Sequence, residues 1–363
     1  LILMSQPDGT FSDVTSTIID ERYITERDDK EVLQYGSRSL TIEDFDGDGW
    51  KDIYLENNLA ETNALLFNNE GKSFGEKEGG TEDYLPQYAR YGFNHRAGDS
   101  MDFDQDGDQD IIVIPRVYEN IKDSIDSGFL PSQYIDYAYG FVLINDGNGD
   151  FNELPPILLP AGLKEKNNKI DDMVTGDING DGYPDVIIAS GKWNPYYVDR
   201  DIQILINDNG TKFNDETNTR IINLRDDNSG TPEGALYLID FNDDGHLDII
   251  DFQGNVENGI AYGTATPGTE FPYFHTGIAV FVNDGEGHFT AIEKDITKGI
   301  DNVAFNDGAW SPVDFGPDYG VGFVFTSEQR RGFKTDSNFY DNNEKSVSKY
   351  SLNSSTGVSA FTI

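Results

Sequence analysis

One nine-residue pattern recurs along this 363-residue chain and constrains its fold more than any other feature. The first copy reads Asp44-Phe45-Asp46-Gly47-Asp48-Gly49-Trp50-Lys51-Asp52, and the second Asp102-Phe103-Asp104-Gln105-Asp106-Gly107-Asp108-Gln109-Asp110. The third is Asp177-Ile178-Asn179-Gly180-Asp181-Gly182-Tyr183-Pro184-Asp185, and the fourth Asp240-Phe241-Asn242-Asp243-Asp244-Gly245-His246-Leu247-Asp248. Each runs directly into strand-forming residues: Ile53 to Leu55, Ile111 to Ile114, Val186 to Ile188, and Ile249-Ile250. A fifth, eroded copy begins at Asp314. It has Gly316 at the third position and Gly322 in place of the last Asp, so no ion is expected there.

A second pattern alternates with the first: an apolar strand, a polar Gly turn, then Phe. It runs from Leu65 to Phe74, Val142 to Phe151, Ile204 to Phe213 and Val280 to Phe289. Asn-Asp-Gly between strand-like runs is a hairpin signal, because these residues tolerate positive φ. One Asp-loop hairpin plus one Gly-turn hairpin makes four strands. Such a unit in tandem predicts an all-β fold, a β-propeller of four-stranded antiparallel blades. The chain then forms one domain over 1–363. Loops are inserted near 116–138, 192–200, 254–276 and 327–345, none with a long helical period. The N-terminal segment from Leu1 to Phe11 fits the Gly-turn template and lacks an inner hairpin. Residues 346–363 would supply one and close a sixth blade. The competing reading is that the chain is a trimmed piece of a parent with seven or more blades.

Asp or Asn at positions 1, 3, 5 and 9 offers only oxygen ligands, and position 6 is Gly every time, as a sharp turn demands. The position-7 carbonyls of Trp50, Asp108, Tyr183 and His246 can add another oxygen. Hard oxygen donors in this number select Ca²⁺ over zinc, copper or magnesium. An EF-hand is excluded, because it needs a bidentate Glu at position 12, where this chain has Leu55, Val113, Ile188 and Asp251. Solvated Asp-Gly turns would not repeat four oxygens in register four times.

These motifs, with their Asn-Asp-Gly hairpins, resemble the FG-GAP/VCBS repeats that build propellers such as the integrin α-subunit head. The resemblance implies four structural calcium sites. It assigns as ligands Asp44, Asp46, Asp48 and Asp52; Asp102, Asp104, Asp106 and Asp110; Asp177, Asn179, Asp181 and Asp185; and Asp240, Asn242, Asp244 and Asp248. Fourteen of these are carboxylates. Crowded together without a cation they repel one another. Four Ca²⁺ would bring the net charge of −40 to about −32 and couple folding to metal binding.

That charge excludes a protein that works by neutralising phosphates, and disfavours docking on anionic lipid. With no cysteine there is no disulfide, thiolate zinc site or cysteine nucleophile. No run reaches the roughly 20 apolar residues of a membrane span. No signal peptide is visible, and the start at Leu1 reads as a processed or trimmed product. Calcium dependence and acidity point to a secreted or cell-surface bacterial protein.

Two places could carry function. His95 and Arg96, with Tyr91, have the residue types a polysaccharide lyase needs: Arg to neutralise a uronate, His or Tyr to remove a proton. Ordinary inner-strand packing is the favoured explanation, since only proximity in sequence joins them. Lys192, Trp193, Tyr196 and Tyr197 form an aromatic loop suited to stacking on sugars, or to a local core. The leading expectation is a recognition or adhesion module, within a larger surface or matrix protein, that binds extracellular polysaccharide or cell-surface glycan. A lyase acting on acidic polysaccharide and an integrin-like protein–protein module are the alternatives.

Overall fold

The computed structural model describes residues 2–19, 24–27, 30–33, 37–57, 63–77, 80, 83–90, 95–128, 130–194, 198–222, 234–253, 278–292, 310–314, 321–326, 351–353 and 358–362. The chain divides into two compact units, Leu1–Gly162 with Asn207–Asn214, and Leu163–Ile206 with Asp215–Ile363.

Unit 1 opens with two hairpins, β1 (Leu3–Ser5) with β2 (Phe11–Asp13) and β3 (Ile24–Arg27) with β4 (Lys30–Leu33). Two four-stranded antiparallel sheets follow. The first joins β5 (Ser37–Glu43), β6 (Asp52–Asn57), β7 (Ala64–Asn68) and β8 (Phe74–Gly75) in sequence order. The second joins β9 (His95–Met101), β10 (Asp110–Pro115), β11 (Phe141–Leu143) and β12 (Ile157–Leu158) in the same way. Short helices α1 (Thr15–Ile18) and α2 (Gln87–Arg90) and the longer α3 (Tyr118–Asp126) lie between strands.

Three more such sheets follow. The third is β13 (Asn168–Gly176), β14 (Asp185–Lys192), β15 (Val198–Asn207) and β16 (Phe213–Asp215), followed by α4 (Thr217–Arg220). The fourth is β17 (Gly234–Ile239), β18 (Asp248–Gln253), β19 (Ile278–Asn283) and β20 (Phe289–Ala291). The fifth contains β21 (Trp310–Asp314), β22 (Val321–Thr326), β23 (Ser351–Asn353) and β24 (Val358–Thr362), in the order β21-β22-β24-β23.

Each Asp loop is the turn of its sheet's first hairpin. Glu43 pairs with Asp52, Met101 with Asp110, Gly176 with Asp185 and Ile239 with Asp248. The second strand of each pair is the apolar run that follows the loop. β10 is buried at every position, as a strand covered on both faces must be. In unit 1 Phe45 and Phe151 of the repeats enter one core, where they pack with Phe67, Tyr54, Ile111 and Phe141. In unit 2 the matching core holds Ile178, Ile187, Ile204, Ile249, Phe281 and Phe289.

One expectation is corrected, among the described residues. The C-terminal strands do not join the N-terminal hairpin. β24 pairs with β22, from Gly322 opposite Thr362 to Thr326 opposite Val358, and completes the fifth sheet. The β1–β2 hairpin stays two-stranded, and Phe11 is 67% exposed. Separately, the insertion near 116–138, expected to lack a long helical period, is helical in short spans only. It forms α3 and a 3₁₀ turn over Ser132–Tyr139, and Tyr118, Ile121, Leu130 and Ala138 pack into a small core of their own. The insertions near 254–276 and 327–345 lie outside the described residues.

Candidate metal centres

The four Asp loops share one hydrogen-bonding scheme. The position-1 carboxylate accepts the amide of the position-6 glycine: Asp44 from Gly49 at 2.8 Å, Asp102 from Gly107 at 3.2 Å, Asp177 from Gly182 at 2.9 Å and Asp240 from Gly245 at 2.8 Å. The position-5 carboxylate accepts the position-7 amide, from Asp48 with Trp50 through to Asp244 with His246. The glycines have φ between 88° and 101°, which a side chain resists. Position 4 is also left-handed, and here the sequence is less accommodating. Gly47 and Gly180 fit, but Gln105 and Asp243 adopt φ of 61° with a side chain.

These windings gather the acidic groups. In the first loop, carboxylate oxygens of Asp44, Asp46 and Asp48 lie within 4.8 Å of one another, and in the second so do those of Asp102, Asp104 and Asp106. The second loop adds a group not expected from sequence. Asp108 occupies position 7 with a carboxylate as well as a carbonyl. Oδ1 atoms of Asp102, Asp104 and Asp108 are all buried without a hydrogen-bond partner. Burial and its acidic neighbours push Asp108 up to about 7. Buried carboxylate oxygens facing no donor fit a hard cation, and the residues present are those Ca²⁺ takes.

Loops three and four are built differently. Asn179 and Asn242 turn their amide nitrogens to Asp181 and Asp244, each at 2.9 Å, and their oxygens to a backbone amide. The side-chain amide there supplies some of the positive field that a metal would supply. In the first loop Lys77 does so, with Nζ 3.0 Å from Asp46.

Position 9 is bonded to the backbone on its inner side. Asp52, Asp110, Asp185 and Asp248 are completely or almost completely buried. One oxygen of each accepts the position-2 amide, from Phe45, Phe103, Ile178 and Phe241. The other, in Asp52, Asp110 and Asp248, accepts the amide of Asn68, Asn145 and Asn283 in the Gly turn of the same sheet. Burial pushes Asp52 up to about 6 and Asp110 to about 8. These carboxylates tie the loop to the turn.

The turn asparagine carries the tie further. Asn145 donates its side-chain amide to the Phe45 carbonyl at 2.8 Å, inside the first Asp loop. Asn207 donates to Phe103 at 2.9 Å, inside the second, and Asn283 to Ile178 at 2.8 Å, inside the third. Each of these three Gly turns thus grips the Asp loop of an earlier sheet. A glycine lets the two approach. A Cβ on Gly210 would stand 2.7 Å from the Asp104 backbone, and one on Gly149 would meet the Phe67 ring at 2.6 Å. Sequence reading recognised Asn-Asp-Gly as a turn and missed this clasp.

The other sequence candidates are only partly placed. His95 and Arg96 lie on β9, while Tyr91, Tyr196 and Tyr197 lie outside the described residues. Lys192 is half-buried at the end of β14, and Trp193 is 36% exposed beside it. Asp171 sits in a buried ionic network that sequence reading did not find. Arg200 bonds Asp251 at 2.7 Å and Asp171 at 3.0 Å, and Lys169 bonds Asp171.

A family model described as an FG-GAP-like repeat matches residues 102–188 and 177–250. The chain carries FG-GAP-like repeats. The matched stretches contain the second, third and fourth Asp loops, and the first loop repeats their geometry. No curated protein matches the chain. Among solved structures it is similar to the biofilm matrix protein Bap1 of V. cholerae, at 13% identity and a TM-score of 0.31. That likeness covers 72% of this chain and 40% of Bap1.

Proposed function

We propose that the protein is a calcium-stabilised extracellular recognition or adhesion module that binds polysaccharide or cell-surface glycan. The orphaned oxygens of Asp102, Asp104 and Asp108 carry the reading. Three buried carboxylate oxygens without a donor ask for a hard cation. Calcium is abundant enough outside cells to fill weak sites continuously. Asp44, Asp46 and Asp48 with Asp52, Asp102, Asp104 and Asp106 with Asp110, Asp177, Asn179 and Asp181 with Asp185, and Asp240, Asn242 and Asp244 with Asp248 would hold four ions. Bound there, calcium neutralises the loops that the Gly turns grip. The repeated sheets then serve as a rigid frame for variable connections, where recognition usually resides. The clasp is structural chemistry, so the reading assigns the four ions no part in a reaction.

A polysaccharide array read in millimolar calcium and again in EDTA tests this. Calcium-dependent retention of one glycan class, recovered intact, is the expected result. Shortened, unsaturated products would replace recognition by the lyase reading. Retention of no glycan, with the fold intact, would leave a protein partner instead.

A further inference from the structure

A cavity of about 460 Å³ opens beside the first Asp loop, in unit 1, within the roughly 300–1,000 Å³ typical of small-molecule sites. Ile18 and Ile19 form one wall, the Phe67 and Phe74 segment another, and Asp46 and Asp48 reach it from the Asp loop. We propose that this cavity is a saccharide subsite that takes a neutral sugar residue through its hydroxyl groups. The inference rests on the recognition reading and gives it a place and a ligand class.

The internal repeat shows that the opening is particular to this position. Residues 2–19 and 204–221 have the same local structure. Asp13 caps Thr15 as Asp215 caps Thr217, with bonds to both the amide and the hydroxyl. The threonine hydroxyl then accepts the amide of Ile2 in one case and Ile204 in the other. Ile19 bridges to Phe74 as Ile221 bridges to Phe289. At the last helical residue the two diverge. Arg220 ends α4, bonds Glu216 at 2.8 Å, and sends Nη1 to the Glu286 carbonyl at 2.6 Å, against Gly287. α1 ends instead on Ile18, which has no polar reach, and here the cavity lies open.

Its lining suits a polyol. Asp46, Asp48 and Glu76 offer acceptors for hydroxyl groups, and Asn68 and Asn69 offer both kinds of partner. Lys77 is held over the Phe67 ring, 4.0 Å from its centroid, and against the Asn148 carbonyl at 2.7 Å, so its ammonium is already positioned as a donor. Phe67 and Phe74 give a sugar's C–H face something apolar to meet. Charge selects among sugars. With calcium on Asp46 and Asp48, Glu76 and Lys77 balance within the lining, and the chain's net charge of −40, about −32 with four ions bound, still opposes uronates and sulfated sugars.

The test compares wild type with Ile18→Arg, which borrows the chain's own way of filling this place, and with Asn69→Trp, which blocks the mouth from the exposed side. Each is titrated in millimolar calcium with mannan, dextran and galactan as neutral probes, and with polygalacturonate and alginate as acidic ones. Terbium luminescence excited through Trp50 reports whether the first Asp loop is intact in each variant. The expected result is wild-type binding to a neutral polymer, weakened at least roughly tenfold in either variant, with the terbium signal unchanged. Neutral-polymer binding equal in all three proteins would remove the cavity and leave the recognition reading standing. Binding to acidic polymers alone would overturn the ligand class and leave that reading too. Wild-type binding to none of the five would sink both.

Discussion

Asn283 donates its side-chain amide to the carbonyl of Ile178, 105 residues earlier, while its own backbone amide goes to Asp248. Its second amide hydrogen bonds the Leu247 carbonyl at 3.0 Å, and its oxygen accepts from Gly285 and Gly287. One buried side chain therefore joins a Gly turn, the Asp loop of its own sheet and the Asp loop of an earlier one. Asn145 repeats the arrangement with Phe45, Gln109, Gly147 and Gly149.

Replacing such an asparagine strands several buried partners at once. Each unsatisfied group costs about 1–3 kcal/mol, so Asn145→Ala or Asn283→Ala is expected to lose about 3 kcal/mol or more of stability. Asn68→Ala is the control. Its side chain bonds Lys51 and Gly71 within its own sheet, and it is only half-buried. Denaturant titration in calcium should rank Asn68→Ala as the mildest of the three. Equal losses would refute the clasp.

The loops divide by charge, and calcium should read the division. Loops one and two have Asp at position 3, and loops three and four have Asn. Affinity rises with ligand charge, so Asp104→Asn should weaken one site by about tenfold and convert the second loop to the type of the third. Isothermal titration of wild type and variant checks this. Saturating calcium at about 100 times Kd adds about 2.7 kcal/mol per site, so EDTA should lower the unfolding temperature markedly. An unchanged melting temperature in EDTA would remove calcium from the stability argument.

Much of this was legible because the Asp loops and Gly turns are local. Oxygens two residues apart, a glycine at position 6 and a β-branched run fix a turn and a strand without reference to the rest of the chain. The clasp was not legible, because Asn145 and Phe45 are 100 residues apart and nothing in either motif says which sheets are neighbours. The burial of position 9 was not legible for the same reason: that of Asp110 depends on the turn that covers it. The helix of the 118–126 insertion is a single short span, too brief to display a period. The C-terminal strands lack an Asp loop, so their pairing with β22 left no mark that sequence could show.

Position 4 of the Asp loops offers a stabilising change. Asp243 sits at φ 61°, where a Cβ is strained, and the equivalent Gly47 and Gly180 are not. Left-handed geometry costs a side chain about 1–2 kcal/mol, and glycine's extra freedom in the unfolded chain returns part of it. Asp243→Gly should therefore gain about 0.5–1 kcal/mol, measured by calorimetry with calcium present. A loss would mean that the Asp243 side chain holds the loop in a way its exposure does not suggest.

The buried ionic network of unit 2 should respond asymmetrically. Arg200 is completely buried between Asp171 and Asp251. Removing one member of such a pair costs about 3–5 kcal/mol, because it leaves a buried charge unpaired. Arg200→Met takes the guanidinium from both carboxylates, leaving Lys169 on Asp171, and should be the more damaging change. Asp251→Asn keeps a hydrogen-bond acceptor and should be milder. Comparable losses in the two variants would argue that packing, not charge, governs this part of the core.

Glu56 gives the fold a pH dependence independent of the metal loops. It is completely buried on β6, no charged group or backbone amide among the described residues pairs with its carboxyl, the Ser39 hydroxyl only partly offsets the burial, and it fills the space where a Cβ on Gly98 would stand. Burial, with a smaller contribution from Asp99, raises it from 4.5 to about 8. Between those values the folded protein keeps a proton that the unfolded chain has released, so stability is full below about pH 4.5 and falls as the pH rises to about 8. Glu56→Gln cannot ionise and escapes that loss. In calcium-saturated buffer the variant should unfold near the wild-type temperature at pH 5 and above it at pH 8. A gap between the two proteins that stays constant from pH 5 to 8 would show that Glu56 is ionised in the fold throughout.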